Sequence, residues 1–422
     1  MSRLALSLHN AYKRSEIPVL EVPTSKSISN RLLMLQHTFN PNLNIKQLST
    51  SDDTQLLNDL LFKIKTSNTE EIVEINAQNC GTALRFLCAF LCFQKGKYIL
   101  TGSEAMKNRP IKGLVDALLS CGATISYTEK EGFPPLKITG GNSLVINEII
   151  NIDARQSSQF ASAILLVLPL FKQDIRLCIQ ENIASFSYLN MTLTLMQQLG
   201  IDIAWKNQKI EYRYTPSAHI RQEITVESDW SAAAYWFVWA ALNPDVKISI
   251  ANLQKSELQG DSIIEDIVKK CGVEVRYNKE GVFLQKTTDT KPLYMDIDAS
   301  NCLDLVPTFV VLCCGLKIKA TIRNVGNLKY KESNRIHALI SELKEITSIQ
   351  HIENSLKISS FSTNNPSSLH FQTYDDHRIA MSLALLSGVF PEIYIENPSC
   401  VSKSYPTFWE NIGKLGVKLR YQ

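Results

Sequence analysis

The sequence predicts an α/β protein of two similar domains, each holding three copies of one structural unit. Three observations point there. Six stretches share one design, in which a polar start runs into a helix of small and apolar residues. A second element, an amphipathic helix that stops at glycine and enters a strand, recurs four times. The chain has 422 residues, more than one hydrophobic core usually supports.

The six polar starts come first. They read Ser25-Lys-Ser-Ile-Ser-Asn-Arg-Leu, Asn79-Cys-Gly-Thr-Ala-Leu-Arg-Phe and Ser157-Ser-Gln-Phe-Ala-Ser-Ala-Ile. The other three read Ser228-Asp-Trp-Ser-Ala-Ala-Ala-Tyr, Asn301-Cys-Leu-Asp-Leu-Val-Pro-Thr and Asp375-Asp-His-Arg-Ile-Ala-Met-Ser. A repeat of this length implies a fold built by copying one unit. Helix N-termini carry unsatisfied N–H groups that attract anions, so gathering several of them would make an anion site.

The second element appears as Leu118-Leu-Ser-Cys-Gly, Met196-Gln-Gln-Leu-Gly, Val268-Lys-Lys-Cys-Gly and Ile412-Gly-Lys-Leu-Gly. Its closing glycine fits the position after a helix where a left-handed backbone is needed. Strands are expected at 97–101, 136–139, 174–178, 247–250 and 392–395, all rich in β-branched and apolar residues. A break near Arg221–Val226 separates three copies from three. The polar stretch 66–77 makes the first copy look trimmed.

Composition narrows the class. Hydrophobic content of 45%, charged content of 20% and a net charge of +3 are those of a globular protein and argue against a nucleic-acid partner. The ten cysteines show no CxxC pair and no spacing with His that suits zinc, so buried thiols in a reducing compartment are expected. The apolar runs 232–242 and 305–316 fall far below the ~20 residues of a membrane span. Leu4-Ala-Leu-Ser-Leu is too short for a leader, and the chain turns polar from His9. A cytoplasmic monomer with no metal, no cofactor and no membrane partner is expected.

Charged residues cluster at these repeated elements. Lys26 and Arg31, with hydroxyls from Ser25, Ser27 and Ser29, suit a phosphate or carboxylate, although a capped helix with solvated charges would read the same. Asn79-Cys-Gly-Thr places Gly81 where a ligand could approach the backbone. Arg109 precedes a proline, which favours an extended backbone. Ser157, Ser158 and Gln159 could cradle a phosphate or simply cap a helix. Lys331 and Arg335 would share one face if the segment were helical, and like charges there need Glu332 or a bound anion between them. Asp304 suits the first turn of the fifth helix. Lys26, Arg31, Arg85, Arg109, Lys331, Arg335, Arg378 and Lys403 all fall in or beside the repeats, which independent surface charges need not do.

Seven motifs then occur in one order along nearly the whole chain. They are Ser25-Lys-Ser-Ile-Ser-Asn-Arg, Asn79-x-Gly-Thr-Ala-x-Arg, Met106-Lys-x-Arg-Pro-Ile, Ser157-Ser-Gln-Phe, Lys331-Glu-x-x-Arg, Asp376-His-Arg-x-Ala-Met and Lys403-Ser-Tyr-Pro. The series resembles that of the 5-enolpyruvylshikimate-3-phosphate synthase family. The resemblance implies two domains of three βαβαββ units each, of the inside-out α/β barrel type, with the active site in the interdomain cleft. It implies domain limits of 22–226 and 1–21 plus 227–422.

The resemblance also implies the roles. Lys26, Ser27, Arg31, Ser157, Ser158, Gln159, Ser185, Tyr188, Asp304, Asn327 and Lys331 match positions for shikimate 3-phosphate. Lys26, Asn79, Gly81, Thr82, Arg109, Gln159, Arg335, Arg378 and Lys403 match positions for phosphoenolpyruvate. Asp304 and Glu332 match the acid/base pair, with Lys26 and His377 joining them as catalytic residues. Transfer of the enolpyruvyl group to the 5-hydroxyl of shikimate 3-phosphate is the activity implied, without metal or cofactor, and glyphosate is the inhibitor implied at the phosphoenolpyruvate position. Thr24, Cys80, Phe86, Arg155-Gln156 and Asn334 depart from the family's usual residues, which leaves inhibitor sensitivity open. The alternatives are UDP-N-acetylglucosamine enolpyruvyltransferase, which would need a Lys-Asn pair where Lys26-Ser27 stands, and a catalytically silent ligand-binding paralogue.

Overall fold

A computed structural model describes all residues except 1, 9–16, 142, 143, 145–147, 181, 182, 184, 208, 217–219, 245 and 365. His9, where the N-terminal stretch turns polar, therefore lies outside the described residues. The chain divides into two compact units. The first is Ser25–Val226, and the second joins Met1–Thr24 to Glu227–Gln422.

In the first unit, three helices fill the interior: Lys26–Thr38, Gly81–Leu91 and Ser158–Phe171. They pack on one another. In the second unit Val306–Leu316 packs on both Trp230–Leu242 and His377–Ala384. These are the six predicted polar-start helices. Four of them, Gly81–Leu91, Ser158–Phe171, Trp230–Leu242 and Val306–Leu316, are apolar nearly all round, the pattern of a helix buried on every side. In Trp230–Leu242 every residue except Ser231 is buried. Alanines 232–234 keep that helix slim, while Trp236 and Trp239 supply apolar area.

Strands surround these helices in six sheets. In the first unit, Ile72–Asn76 runs parallel to Gly96–Thr101, which pairs antiparallel with Leu136–Gly140, itself paired with Thr124–Tyr127. Ile149–Ile152, Ile175–Ile179, Lys209–Tyr212 and Ile203–Lys206 repeat that order and sense. A parallel pair needs a crossover, and the buried helix of each copy supplies it. The second unit repeats the plan with Tyr294–Asp298, Lys319–Arg323, Ser355–Phe361 and Thr347–Ile352.

The remaining copies borrow strands. Val19–Glu21 supplies the parallel first strand beside Lys247–Ala251. Glu223–Thr225 plays the same part for the first copy, beside Asn44–Lys46, and that sheet has only two strands. The first copy is thus reduced, but 66–77 is not its remnant: Ile72–Asn76 opens the next sheet. Arg3–Leu8 lies between Ile393–Glu396 and Val417–Tyr421 in the sixth sheet. At all five places where the sequence predicts a strand, one is found with limits within one residue of those expected.

Glycine closes the second helix in four copies. Gly122, Gly200, Gly272 and Gly416 have φ of 84, 93, 83 and 89°, which side chains rarely adopt. At Gly272 a Cβ would also lie 2.2 Å from the Thr288 carbonyl oxygen. None of the ten cysteines forms a disulfide, and eight are buried. No helix among the described residues is long and apolar enough to cross a membrane.

Candidate active site

Polar residues collect at the N-terminal ends of the buried helices in each unit. In the first unit, Ser25 caps its helix by accepting from the Ile28 N–H at 3.4 Å. The next residue, Lys26, is mostly buried and its Nζ meets Asp53 Oδ2 at 2.9 Å. Arg31 lies one turn on, 2% exposed. Its Nε donates to Thr192 Oγ1 at 2.7 Å, Nη1 to the Ser27 carbonyl at 2.8 Å and Nη2 to the Tyr188 carbonyl at 3.1 Å. The guanidinium also sits over the rings of Phe86 and Tyr188. Burial pulls its pKa down to about 10, with Tyr188 acting the other way, so it stays charged at neutral pH. Phe86, a departure in sequence, thus has a structural role, because its ring lies under Arg31.

Around Gly81 the cations converge. A Cβ there would lie 2.9 Å from Arg109 Nη1 and 3.0 Å from Arg85 Nη1. Arg85 Nη1 donates to Gln159 Oε1 at 2.6 Å, and Gln159 Nε2 donates to Thr82 Oγ1 at 3.2 Å. Arg109 Nε is buried without a hydrogen-bond partner, and no carboxylate among the described residues pairs with Arg109. Two guanidinium tips therefore approach one another at a residue with no side chain. Like charges held this way favour an anion between them. Cys80, another departure, caps this helix: its Sγ accepts from the Ala83 N–H and donates to the Asp53 carbonyl.

The other predicted residues of this unit line the same helix starts. Ser157 caps Ser158–Phe171, accepting from the Gln159 N–H at 3.3 Å. Ser158 is buried beside it. Ser185 precedes Phe186–Gln198 with a left-handed φ of 54°, and Tyr188 follows on that helix. Asn79 is exposed and accepts from the Ser103 hydroxyl. Arg155 is exposed and pairs with Asp153 at 2.7 Å.

The second unit holds a denser cluster. Asp304 Oδ1 meets Lys331 Nζ at 3.1 Å and Arg335 Nη1 at 3.0 Å, and its Oδ2 meets Arg378 Nη2 at 3.0 Å. Glu332 Oε2 accepts from Arg335 Nη2 at 2.8 Å, and its Oε1 lies 3.4 Å from Lys403 Nζ. Asp376 accepts from Arg335 Nε at 2.7 Å and from Nη2 at 3.2 Å. Four cations face three carboxylates, leaving one positive charge in excess. Burial alone would raise the Asp304 pKa, but Arg378, Lys331 and Arg335 outweigh it and hold this carboxyl well below the usual range, against a smaller push from Glu332.

Two sequence expectations change here. Lys331 and Arg335 do not share a helix face. Lys331 is extended, with ψ −159°, after the 3-10 turn Gly326–Tyr330 that carries Asn327, and the helix begins at Arg335. Asp304 rather than Glu332 separates the two charges, because it touches both. Asp304 itself lies in a 3-10 turn, Leu303–Leu305, just before the helix Val306–Leu316. Asn334 caps the Arg335 helix by accepting from the His337 N–H, which Asn and Asp do equally well.

His377 is 1% exposed, and its Nδ1 lies 3.8 Å from Asp376 Oδ1. Sequence reasoning does not single out Asp376 or Asp53 as site residues. Asp376 is fully buried, caps His377–Ala384 by accepting from the Arg378 N–H and accepts from Ser333 Oγ. Its place as helix N-cap is visible in the sequence; its grip on Arg335, 41 residues away, is not. Nothing local marks Asp53 as the partner of Lys26. Arg85 belongs with the repeat cations in sequence, and its contact with Gln159 ties two helix starts together.

The family model described as EPSP synthase (3-phosphoshikimate 1-carboxyvinyltransferase) matches residues 15–412. Curated relatives that carry the name 3-phosphoshikimate 1-carboxyvinyltransferase include two from different bacteria. The one from Bacteroides fragilis (strain YCH46) is 37% identical over 95% of this chain and 96% of its own length. The one from Buchnera aphidicola subsp. Cinara cedri is 34% identical over 93% of each. Among solved structures, an EPSP synthase from Acinetobacter baumannii superposes with a TM-score of 0.76 at 20% identity and covers all of both chains, a likeness of fold.

Proposed function

This chain belongs to the EPSP synthase (3-phosphoshikimate 1-carboxyvinyltransferase) family, and we infer that it carries that activity with the residues gathered at its helix starts. It transfers the enolpyruvyl group of phosphoenolpyruvate to the 5-hydroxyl of shikimate 3-phosphate and releases phosphate. The observations that carry this reading are two guanidinium tips, Arg109 Nη1 and Arg85 Nη1, at 2.9 and 3.0 Å from where a Gly81 Cβ would stand, and, in the other unit, Asp304 and Glu332 held among four cations.

The chemistry needs those types. The hydroxyl must lose a proton as its oxygen attacks C2, and C3 must gain one; phosphate then leaves and C3 gives a proton back. Positive charge grows at C2, which a carboxylate stabilises, while Arg and Lys hold the carboxylate and phosphate of the donor. In this reading Arg109, Arg335, Arg378 and Lys403 bind phosphoenolpyruvate together with Asn79, Gly81, Thr82 and Gln159. Ser27, Arg31, Ser157, Ser158, Gln159, Ser185, Tyr188, Asn327 and Lys331 bind shikimate 3-phosphate. Lys26 serves both substrates, and His377 assists at the buried edge. Arg31 has three of its five donors engaged within the protein, so it offers at most two to a ligand.

Asp304 and Glu332 act as the acid/base pair. With its cations in place and no ligand, Asp304 is a weak base. An anionic substrate that draws Arg378 or Lys331 toward itself weakens those pairs, and the carboxylate becomes more basic when the hydroxyl arrives. Release of inorganic phosphate that requires both substrates tests the activity. Release with UDP-N-acetylglucosamine in place of shikimate 3-phosphate, or none with either acceptor, would reject it.

Gly81→Ala tests the arginine pair at Gly81. The new methyl meets the end of a flexible arginine rather than backbone, so the protein folds and Arg109 gives way by a few tenths of an ångström. The KM for phosphoenolpyruvate is expected to rise about tenfold, since small misplacements of a charge-bearing donor are costly, while that for shikimate 3-phosphate stays within about twofold. Equal changes in both, measured by steady-state kinetics, would remove Arg109 from the donor site.

A further inference from the structure

Behind the ion pair of Lys26 and Asp53 lies a second tie between the same two helices. Asn30 stands one turn after Lys26 on Lys26–Thr38 and is fully buried. Thr54 directly follows Asp53 on Asp52–Thr66 and is fully buried too. The helices therefore meet twice. Lys26 Nζ lies 2.9 Å from Asp53 Oδ2, and Thr54 Oγ1 donates to Asn30 Oδ1 at 2.8 Å. Residues one turn apart share a helix face, so one face of the first helix holds two neighbours on the second.

A chain of buried hydroxyls stands behind Thr54. Ser49 Oγ donates to Ser51 Oγ at 3.1 Å, and Ser51 Oγ lies 3.2 Å from Thr54 Oγ1. The Thr54 hydrogen is spent on Asn30, so Ser51 is the donor to Thr54. All three hydroxyls thus donate in one direction, toward the Asn30 amide, and bonds in such a chain strengthen one another. The Ser49 N–H donates to Ser29 Oγ at 3.0 Å, which fastens residues 49–51 to the first helix as well. Ser29, Ser49 and Ser51 are all buried. Ser51 is the N-cap of Asp52–Thr66, yet its side chain caps no N–H of that helix. A serine there ordinarily accepts from the helix backbone; this one serves the chain instead. Asn30 Nδ2 is buried without a hydrogen-bond partner among the described residues, so the Thr54 hydroxyl is what holds the Asn30 amide.

Ser51 and Thr54 flank Asp53, and nothing in the mechanism above uses either. We propose that Thr54 is a positioning residue for Lys26: together with Ser51 it pins the turn that carries Asp53 to the Lys26 helix, and so sets where the Lys26 ammonium stands. This rests on the reading of Lys26 as a ligand of both substrates.

Thr54→Val keeps the shape and removes the hydroxyl. Asp53 keeps its charge, so no cation is released to favour an anion; the pair shifts together and the ammonium meets the substrate out of place. Affinity for shikimate 3-phosphate, measured by calorimetry, is expected to fall by about three- to tenfold. Thr54→Ser restores the hydroxyl and should bind within about twofold of wild type. In an Asp53→Ala background the route to Lys26 is gone, so Thr54→Val should then cost less than about twofold. A merely structural role would lower Tm and leave affinity unchanged, or would cost the same in both backgrounds; either result overturns the proposal, as does a Thr54→Ser variant as weak as Thr54→Val. If Thr54→Val does not fold, Ser51→Ala replaces it, with an expected loss of about threefold, and wild-type affinity there overturns the proposal equally. Lys26→Met separates the two levels. Unchanged affinity in Lys26→Met removes Lys26 from the substrate site and the proposal with it, whereas weakened binding there beside unchanged binding in Thr54→Val removes only the tie.

Discussion

Asp304→Ala and Glu332→Gln are expected to fold, to bind shikimate 3-phosphate and to lose turnover by roughly a thousandfold each, the middle of the range for a positioned acid or base. Asp304 touches three cations and Glu332 two. Removing Asp304 leaves Lys331, Arg335 and Arg378 with less negative charge, which favours an anionic substrate in the ground state. Affinity for shikimate 3-phosphate should thus hold or improve while kcat collapses, the pattern of a group needed in the transition state. Glu332→Gln keeps its shape and one acceptor for Arg335, so its loss of rate reports the missing proton transfer rather than a missing contact. Calorimetry for binding and steady-state kinetics for turnover decide the matter. Near-normal kcat in either variant would strike that residue from the acid/base pair.

The repeats are legible because each copy must bury one helix on all sides. That demand leaves helices with almost no polar face, such as Trp230–Leu242, where Ser231 alone is not buried. Glycine after the second helix is legible for a stereochemical reason, since φ near 85° excludes most side chains. What stays hidden depends on distant partners. Glu223–Thr225 reads as a linker in sequence yet completes the first sheet beside Asn44–Lys46. Val19–Glu21 pairs with Lys247–Ala251 more than two hundred residues away.

Within the site, the cations stand out by their spacing from helix starts, but their counter-charges do not. Asp53 lies in the first turn of the helix Asp52–Thr66 and Asp376 caps His377–Ala384, both places where acids are common, so local pattern gives them an ordinary explanation. The 3-10 turns at Leu303–Leu305 and Gly326–Tyr330 also break the helical reading of Asp304 and of Lys331 to Arg335. Helical spacing places Lys331 near Arg335 for the wrong reason; their shared carboxylate is the physical one.

Arg335→Ala is expected to be the most destabilising change in the second unit. Its side chain is 1% exposed and binds Asp304, Glu332 and Asp376, of which Asp376 is itself fully buried. Burial works against the arginine's charge, yet Asp376, Glu332 and Asp304 outweigh it and keep it protonated. Truncation leaves Asp376 without its two charged donors. Breaking one partner of a buried pair typically costs about 3–5 kcal/mol, and for a unit of this size each kcal/mol lowers Tm by about 2–4 °C. The loss should depend on pH in a definite direction. Asp304 has a depressed pKa, so its share of the stability is fully present above the unfolded value near 3.9 and is lost as pH falls through the folded value. The gap in Tm between wild type and Arg335→Ala should therefore be widest near neutrality and shrink below pH 4. Thermal scans at a series of pH values, with urea unfolding at neutral pH, measure both quantities. A cost under about 1 kcal/mol, constant with pH, would mean that water screens the cluster as it does a surface pair, and that Arg335 holds no carboxylate in place.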